Sequence, residues 1–161
     1  MRKWNSSDAE NFFKYMNNRK LTTNLREGFP STLEQVKKAV DSFSCADESK
    51  QCCRAIDING EAVGCVAIFL KENVYCKSAE IAYWLGEPFW GKGIMSHAVQ
   101  QLCETAFEQY DIVRISAEPY AYNVGSRRVL EHAGFTLEGI MKKSVYKNGE
   151  FFDSCMYALI K

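Results

Sequence analysis

The feature that most constrains this chain is an Asn-Gly pair, Asn59-Gly60, between two apolar runs. Asn-Gly favours the left-handed backbone angles of a type I′ turn, whose twist matches that of paired antiparallel strands. The pair therefore predicts a β-hairpin. A second pair, Asn148-Gly149, predicts another hairpin near the end of the sequence. The predicted strands of the two hairpins span residues 53–58, 62–70, 135–146 and 151–160.

Between the hairpins the sequence predicts a strand, a helix and a second strand. Residues 79–85 have a strand pattern, a long helix with one apolar face begins near Lys92, and residues 112–117 form the next strand. A strand–helix–strand order favours parallel pairing through a right-handed crossover. The predicted sheet is therefore mixed.

The first third of the sequence predicts helices. Ser7 or Asp8 is placed to cap a first helix, and Ser31 with Glu34 has the spacing of a capping box for a second. Residues 25–30, which lie between them, contain Gly and Pro and predict a loop.

Composition narrows the class of protein. A length of 161 residues with 47% hydrophobic content suits one globular domain, so we expect residues 1–161 to form a single α/β (α+β) domain with a mixed central sheet flanked by helices. Twenty basic and twenty acidic residues give a net charge of zero, which argues against nucleic acid as a partner. No window approaches about 18 consecutive apolar residues. We therefore expect a cytoplasmic protein with no membrane partner.

The cysteines predict neither a disulfide framework nor a metal site. There are seven, an odd number, with no C-x-x-C pair and only two histidines to complete a zinc site. Several lie among apolar neighbours, as free thiols do in a reducing compartment. We expect no metal.

One candidate site lies where the strand at 79–85 leads into the long helix. Gly91 and Gly93 allow close backbone approach to a ligand, and the N–H groups of the first helical turn attract anions. The segment lacks the G-x-x-x-x-G-K-[ST] pattern of a Walker A loop and the third glycine of a dinucleotide fingerprint. Glycines that merely ease a tight turn are the alternative interpretation.

A second candidate site follows the strand at 112–117. Asn123 is placed to cap a helix from about 124 to 133 that Gly134 ends, and Ser126 lies in the first turn of that helix. Capping alone would explain both side chains. However, both candidate sites are helix starts after neighbouring parallel strands, and open α/β sheets bind ligands at that edge.

Taken together, these segments resemble a known family. Tyr83-Trp84-Leu85, the segment 89–95, Asn123-x-x-Ser126 and Gly134-Phe135 resemble the GNAT superfamily of N-acetyltransferases, particularly its RimJ/RimL-like branch. The resemblance spans nearly the whole chain. In the superfamily's Q/R-x-x-G-x-G/A loop, the first position here is Trp90 and the last is Met95.

The resemblance implies the acyl-CoA N-acyltransferase fold and acetyl-CoA as the donor. The pyrophosphate would be held by the helix start, the pantetheine arm would pair with the strand at 81–85, and Asn123 and Ser126 would reach the cofactor. The implied cofactor residues are Ile81, Ala82, Tyr83, Trp84, Leu85, Trp90, Gly91, Lys92, Gly93, Ile94, Met95, Ser96, Asn123 and Ser126.

The implied reaction is direct attack of a neutral amine on the thioester. Because an alkyl ammonium has a pKa near about 10.4, a base would help. We expect Glu80 as that base, acting directly or through water, Ser126 as the acid, and a backbone N–H within residues 82–84 as the oxyanion donor. A solvent-facing or salt-bridged Glu80 and a capping Ser126 are the alternatives.

The acceptor side of the reaction stays open. The branch implies a protein N-terminus or a small-molecule amine, with residues 26–30 on the acceptor side and a monomer or homodimer as the assembly. Some relatives carry a carboxylate where this chain has Val145, so a noncatalytic acyl-CoA sensor is the alternative function. A Cys-His nucleophile has no supporting arrangement, and we expect His97 and His132 to be structural.

Overall fold

The computed structural model describes residues 1–26 and 32–161. Their main feature is a six-stranded sheet in the order β1-β2-β3-β4-β6-β5. The strands are β1 (Gln51–Ile58), β2 (Glu61–Leu70), β3 (Ser78–Leu85), β4 (Arg114–Ala117), β5 (Thr136–Lys147) and β6 (Glu150–Ile160). The helices are α1 (Ala9–Met16), α2 (Arg19–Thr22), α3 (Leu33–Ser44), α4 (Ile94–Gln109) and α5 (Val124–His132), with 3₁₀ turns at Ser6–Asp8, Asn73–Tyr75 and Glu87–Phe89.

Both predicted hairpins are present. Strands β1 and β2 pair antiparallel around Asn59-Gly60, where φ is 54° and 86°. Strands β5 and β6 pair antiparallel around Asn148-Gly149, where φ is 53° and 86°. Positive φ at both central residues is the condition for a type I′ turn, so local turn chemistry set these two pairings.

The predicted parallel pair is also present, but it is short. Strand β3 pairs with β4 from Ser78 opposite Arg114 to Glu80 opposite Ser116. Beyond that point β3 continues to Leu85 while still paired with β2. The remaining strand pairs are antiparallel, as a mixed sheet requires. The two parallel strands therefore separate beyond Glu80 and leave one edge of β3 open.

Helices cover the first half of the sheet on both faces. Residues 62–68 of β2 are all buried, which requires cover on each side of the strand. Cys52 and Cys53 of β1 point to opposite faces yet are both buried, for the same reason. Helix α4 turns its apolar side inward, as its sequence predicted, and buries Met95, Ala98, Val99, Leu102, Cys103 and Ala106.

The predicted start of the first helix is confirmed in position, whereas the start of the second differs from the structure. Asp8 is the N-cap residue of α1, but its side chain makes no capping bond, and the side chain of Asn5 accepts a hydrogen bond from the N–H of Ser7 and caps the 3₁₀ turn that leads into α1. Thr32 is the N-cap of α3, and Ser31 lies outside the described residues. An Asx or hydroxyl cap works at either position, so the sequence alone did not choose between neighbours.

Two further elements begin two residues later than the sequence predicted. Helix α4 begins at Ile94 with Gly93 as its N-cap, two residues after Lys92, and β4 begins at Arg114 instead of residue 112. None of the helices among residues 1–26 and 32–161 is long and apolar enough to cross a membrane.

Candidate active site

A groove opens where β3 and β4 separate. Its volume is about 1450 Å³, and it runs from Arg26 and Glu80, past the open edge of β3, to the start of α4 and the start of α5. The predicted cofactor residues that line it are Ile81, Ala82, Tyr83, Trp84, Leu85, Trp90, Gly91, Gly93, Ile94, Met95, Ser96, Asn123 and Ser126. The fold therefore brings the two predicted helix starts to one cleft.

The direction of the β3 backbone follows from its neighbours. On the side of β4, the carbonyl of Lys77 accepts a bond from the N–H of Val113, and the carbonyl of Ala79 accepts one from the hydroxyl of Ser116. On the side of β2, the N–H of Gly86 donates to Val63. Because the backbone groups of alternate residues in a strand point to opposite edges, odd-numbered residues of β3 face β4 and even-numbered residues face β2.

This alternation shows which of residues 82–84 can act as the predicted oxyanion donor. The N–H and C=O groups of Ile81 and Tyr83 face the open edge, where β4 has moved away. Ala82 and Trp84 direct their backbone groups to their β2 partners, Ala67 and Cys65. Within residues 82–84, Tyr83 is thus the residue whose backbone N–H faces the groove. An unpaired strand edge of this kind is a template for an extended ligand arm with amide groups.

The start of α4 forms the anion-binding end of the groove. Gly91 and Gly93 have φ of 73° and 74°, a left-handed conformation that residues with a Cβ rarely adopt. Gly93 is the N-cap, and no side chain caps the helix. The N–H groups of the first turn, from Ile94 onward, are left for a ligand, and the helix dipole favours a negative one.

Trp90 fixes the loop of residues 90–93, which precedes α4, to the sheet. Its indole N–H donates to the carbonyl of Leu85 at 2.6 Å, while 41% of the residue remains exposed. The bond explains why a tryptophan suits the first position of the loop motif. Lys92 does not line the groove, and its ammonium lies 5.5 Å from the ring centroid of Phe89.

The start of α5 carries a linked set of polar groups. The side-chain carbonyl of Asn123 accepts from the N–H of Ser126 at 3.1 Å, which is the predicted cap. That bond uses Oδ1 and leaves the amide NH₂ of Asn123 to bond a ligand. The hydroxyl of Ser126 lies 2.8 Å from the hydroxyl of Tyr83. Burial raises the pKa of Tyr83 well above its ordinary value, so this phenol keeps its proton.

Glu80 lies at the point where the parallel strands separate. One oxygen contacts the guanidinium of Arg26, and the other is 3.9 Å from the ammonium of Lys71. Both oxygens of this candidate base therefore face cations. Arg26 also reaches Glu118, which directly follows β4, with NH1 to Oε2 at 3.5 Å.

The sequence did not single out Glu118. Its position directly after the strand predicted at 112–117 could have indicated a site residue, because a carboxylate there lies at the ligand-binding edge of an open sheet. Of the predicted acceptor segment 26–30, Arg26 lines the groove, and residues 27–30 lie outside the described part of the chain.

The cysteines and histidines do not form a second catalytic centre. All seven cysteines are free, and burial raises the pKa of Cys53 to about 11 and that of Cys103 to about 12. His97 lies on the exposed side of α4, as predicted, whereas His132 lines the groove at the end of α5. Within the described ranges, no group of three His, Cys, Asp or Glu residues could hold a metal ion.

Comparison with known proteins agrees with this geometry. A family model described as an acetyltransferase (GNAT) domain matches residues 1–136. The probable N-acetyltransferase YjcK of Bacillus subtilis is 39% identical over 98 residues, which are 61% of this chain and 54% of that protein. The ribosomal-protein-serine acetyltransferase of Escherichia coli is 36% identical over 100 residues, 62% of this chain and 55% of that protein. These matches thus span about half the length of the curated relatives.

A solved structure matches over a longer range. RimL, a ribosomal alpha-N-protein acetyltransferase in complex with coenzyme A, superposes with a TM-score of 0.87 at 29% identity and covers 99% of this chain and 92% of that one. The mixed sheet, its separated parallel pair and the uncapped helix start define the acyl-CoA N-acyltransferase fold. The chain belongs to the GNAT acetyltransferase family. The predicted resemblance to the RimL-like branch is confirmed.

Proposed function

We propose that this chain transfers an acetyl group from acetyl-CoA to a primary amine, and that residues 1–161 act as one N-acetyltransferase domain. The observation that carries the proposal is the open edge of β3 ending at the uncapped start of α4. It supplies backbone groups for an amide-containing arm and N–H groups for a pyrophosphate in one groove.

Acetyl-CoA would supply an acyl thioester, which an amine converts to an amide with release of a thiol. Within the groove, the N–H groups from Ile94 onward bind the negative end of the donor, and Trp90 keeps that loop in place. The N–H of Tyr83 is available to donate to an oxyanion in a site partly screened from water. Asn123 orients the first turn of α5 and thereby the hydroxyl of Ser126.

Ser126 is the proposed acid. A serine hydroxyl is barely acidic alone, so Ser126 would relay to the departing thiolate a proton that the attacking amine releases. The Tyr83 hydroxyl, 2.8 Å away, keeps its own proton and orients the hydroxyl of Ser126. Glu80, at the acceptor end of the groove, is the proposed base, and its contacts with Arg26 and Lys71 support binding of a positively charged group beside it.

The proposed acceptor is a ribosomal-protein N-terminus or a small-molecule amine, because named relatives act on ribosomal proteins. We further propose a cytoplasmic location, which the seven free cysteines support since a reducing compartment keeps thiols unpaired.

The first test is thermal unfolding with acetyl-CoA, free CoA and NAD. A concentration-dependent rise in midpoint with the two CoA ligands alone supports the groove assignment, since selective binding stabilises the native state. Unchanged unfolding at millimolar acetyl-CoA would overturn it. Release of free thiol is then measured across an amine panel, and binding without any release would favour the noncatalytic sensor.

Two glycine variants make a matched pair for this test. Gly91 and Gly149 both have positive φ, 73° and 86°, and a Cβ at either position would meet nothing within 4 Å. Gly91→Asp places a carboxylate beside the proposed pyrophosphate site and should abolish stabilisation by acetyl-CoA. Gly149→Asp carries similar backbone strain in the distant hairpin and should keep the stabilisation.

A further inference from the structure

Three charged side chains from distant parts of the sequence meet at one end of the groove. The guanidinium of Arg26 contacts the carboxylates of both Glu80 and Glu118. All three residues line the groove. Two carboxylates that converge on one cation, at the end of the groove away from the start of α4, are complementary to a positively charged group.

A buried serine, Ser154, fixes the orientation of the Glu118 carboxylate. The hydroxyl of Ser154 donates to its Oε1 at 2.7 Å, and Ser154 is only 1% exposed. The Ser154 hydroxyl oxygen is 2.6 Å from that of Ser144. A neutral, buried donor thus fixes one carboxylate oxygen and leaves the other directed at Arg26. Because a fixed carboxylate loses little freedom on binding, it suits recognition of a ligand.

A buried hydroxyl without a hydrogen-bond partner in the described part of the chain lies at the same end of the groove. Tyr120 lines the groove and is 1% exposed, yet its hydroxyl has no hydrogen-bond partner among residues 1–26 and 32–161. Burial raises the pKa of Tyr120, and the charge of Arg26 acts on the same hydroxyl in the opposite direction. Buried polar groups without a partner are rare and costly, so this hydroxyl points to a ligand that completes it.

A further nearby cation, Lys147, already donates hydrogen bonds to the backbone. The ammonium of Lys147 lies 5.6 Å from the ring centroid of Tyr120, but it donates to the carbonyls of Thr22, Thr23 and Leu25. Arg26 is therefore the cation that contacts both carboxylates, whereas Lys71 approaches Glu80 at 3.9 Å. Its contact with Glu118, at 3.5 Å, is at the outer limit of a hydrogen bond.

We propose that Glu80, Glu118 and Tyr120 form the subsite that receives the amino group of the acceptor as an ammonium ion, and that Arg26 occupies this subsite until the acceptor displaces it. One of the two carboxylates takes the proton that the ammonium loses before the neutral amine attacks the thioester. The proposal rests on the proposed function and names its acceptor-binding residues. Glu118 provides the principal contact because its carboxylate is fixed by Ser154 and only loosely paired with Arg26, whereas both oxygens of Glu80 face cations.

The test compares four variants by steady-state kinetics and calorimetry. The probes are the peptide amides Ser-Ala-Ala-Ala and Ala-Ala-Ala-Ala, and spermidine. Glu118→Gln should raise the KM for the amine, and its dissociation constant, at least about tenfold, because a charge-assisted bond is lost. Stabilisation by acetyl-CoA should stay at the wild-type value, because Glu118 lies away from the start of α4.

Arg26→Gln and Lys71→Gln separate occupation of the subsite from a general charge effect. Each removes one cation beside Glu80, but only Arg26 also contacts Glu118. Arg26→Gln should lower the KM for the amine severalfold, and Lys71→Gln should change it less than twofold. A rise in KM with Arg26→Gln equal to that with Glu118→Gln would mean that Arg26 holds the acceptor, and would overturn the proposal.

Tyr120→Phe gives an independent readout that a purely structural role would not produce. Removing an unsatisfied buried hydroxyl should leave the melting temperature of the free protein unchanged or higher, while the dissociation constant of the peptide rises. A lower melting temperature with unchanged peptide binding would contradict the assignment.

The two proposals fail in different ways. If wild-type protein binds acetyl-CoA and releases no thiol, the proposed transfer fails while calorimetry still measures amine binding to the subsite. Wild-type protein that binds none of the three amines, or a Glu118→Gln variant that binds them as well as wild type, overturns the subsite alone.

Discussion

The hydroxyl of Tyr83 lies 2.8 Å from the hydroxyl of Ser126, across the gap between β3 and the start of α5. Tyr83 also donates to the backbone carbonyl of Ser126 at 3.1 Å. Since a hydroxyl has one proton, a Tyr83 that donates to the carbonyl receives the proton of Ser126. The pair links the open strand edge to the second helix start, and it constrains the serine that we propose as the acid.

Replacing each hydroxyl separates catalysis from binding. We expect Ser126→Ala to lower kcat by roughly a hundredfold, at the lower end of the range of general acid effects, with little change in the KM for acetyl-CoA. Tyr83→Phe should lower kcat less, because the serine remains. Steady-state thiol release checks both. If Ser126→Ala keeps full kcat, the serine is only a helix-start hydroxyl and the acid must be sought elsewhere.

Trp90→Phe removes the indole N–H that donates to Leu85 while keeping an aromatic ring. We expect the dissociation constant for acetyl-CoA to rise severalfold, because one neutral hydrogen bond contributes about 1 kcal/mol and the loop then has to be ordered by the ligand. Calorimetric titration measures this. Tyr75→Phe is the control, since Tyr75 is exposed and does not line the groove; equal weakening in both variants would contradict the role of Trp90.

Gly64 permits the close approach of β2 and β3. A Cβ there would lie 2.7 Å from the carbonyl oxygen of Trp84 and 2.9 Å from Cδ1 of Leu85. Gly64→Ala should therefore lower the free energy of unfolding by about 2 kcal/mol, as overpacking does. Gly139→Ala is the matched control in β5, where a Cβ meets nothing within 4 Å. Chemical denaturation distinguishes them, and equal losses would contradict the steric explanation.

Arg2 and Asp8 form a two-pronged ion pair, with both nitrogen–oxygen distances at 2.7 Å. Asp8 is 3% exposed, and burial opposes its ionisation, but bonds from Arg2 and Asn5 hold its pKa below the ordinary value. Arg2→Gln leaves this carboxylate, and that of Asp57, which Arg2 also contacts at 2.7 Å, without a cation. We expect a loss of about 2 kcal/mol, less than for a fully buried pair, because the side chain of Arg2 is 34% exposed.

The same pair gives a pH dependence with a defined sign. Because the pKa of Asp8 is lower in the folded protein, its contribution is fully present above the unfolded value, near about 3.9, and is lost as pH falls through the folded value. The difference in stability between wild type and Arg2→Gln should therefore be constant near neutral pH and shrink below about pH 4. A constant difference down to pH 2 would show that Asp8 contributes nothing.

Local rules were sufficient for much of the fold. Asn59-Gly60 and Asn148-Gly149 predicted both hairpins because a type I′ turn is decided by the two residues that form it. The inward face of α4 and the cap by Asn123 were also predicted, since each depends on spacings of three or four residues. The predicted helix starts at Ser31 and near Lys92 were less accurate, because several neighbouring residues could serve as caps.

The sequence by itself determined the element types, the two hairpins and the two helix-start motifs whose joint pattern resembles the family. These features rest on interactions within a few residues. Only the tertiary structure decided where β3 and β4 separate, that Tyr83 directs its backbone toward the groove, and that Arg26 meets Glu80 and Glu118. The two contacts of Arg26 join residues 54 and 92 positions apart. They arise from how strands and helices pack, which no local pattern encodes.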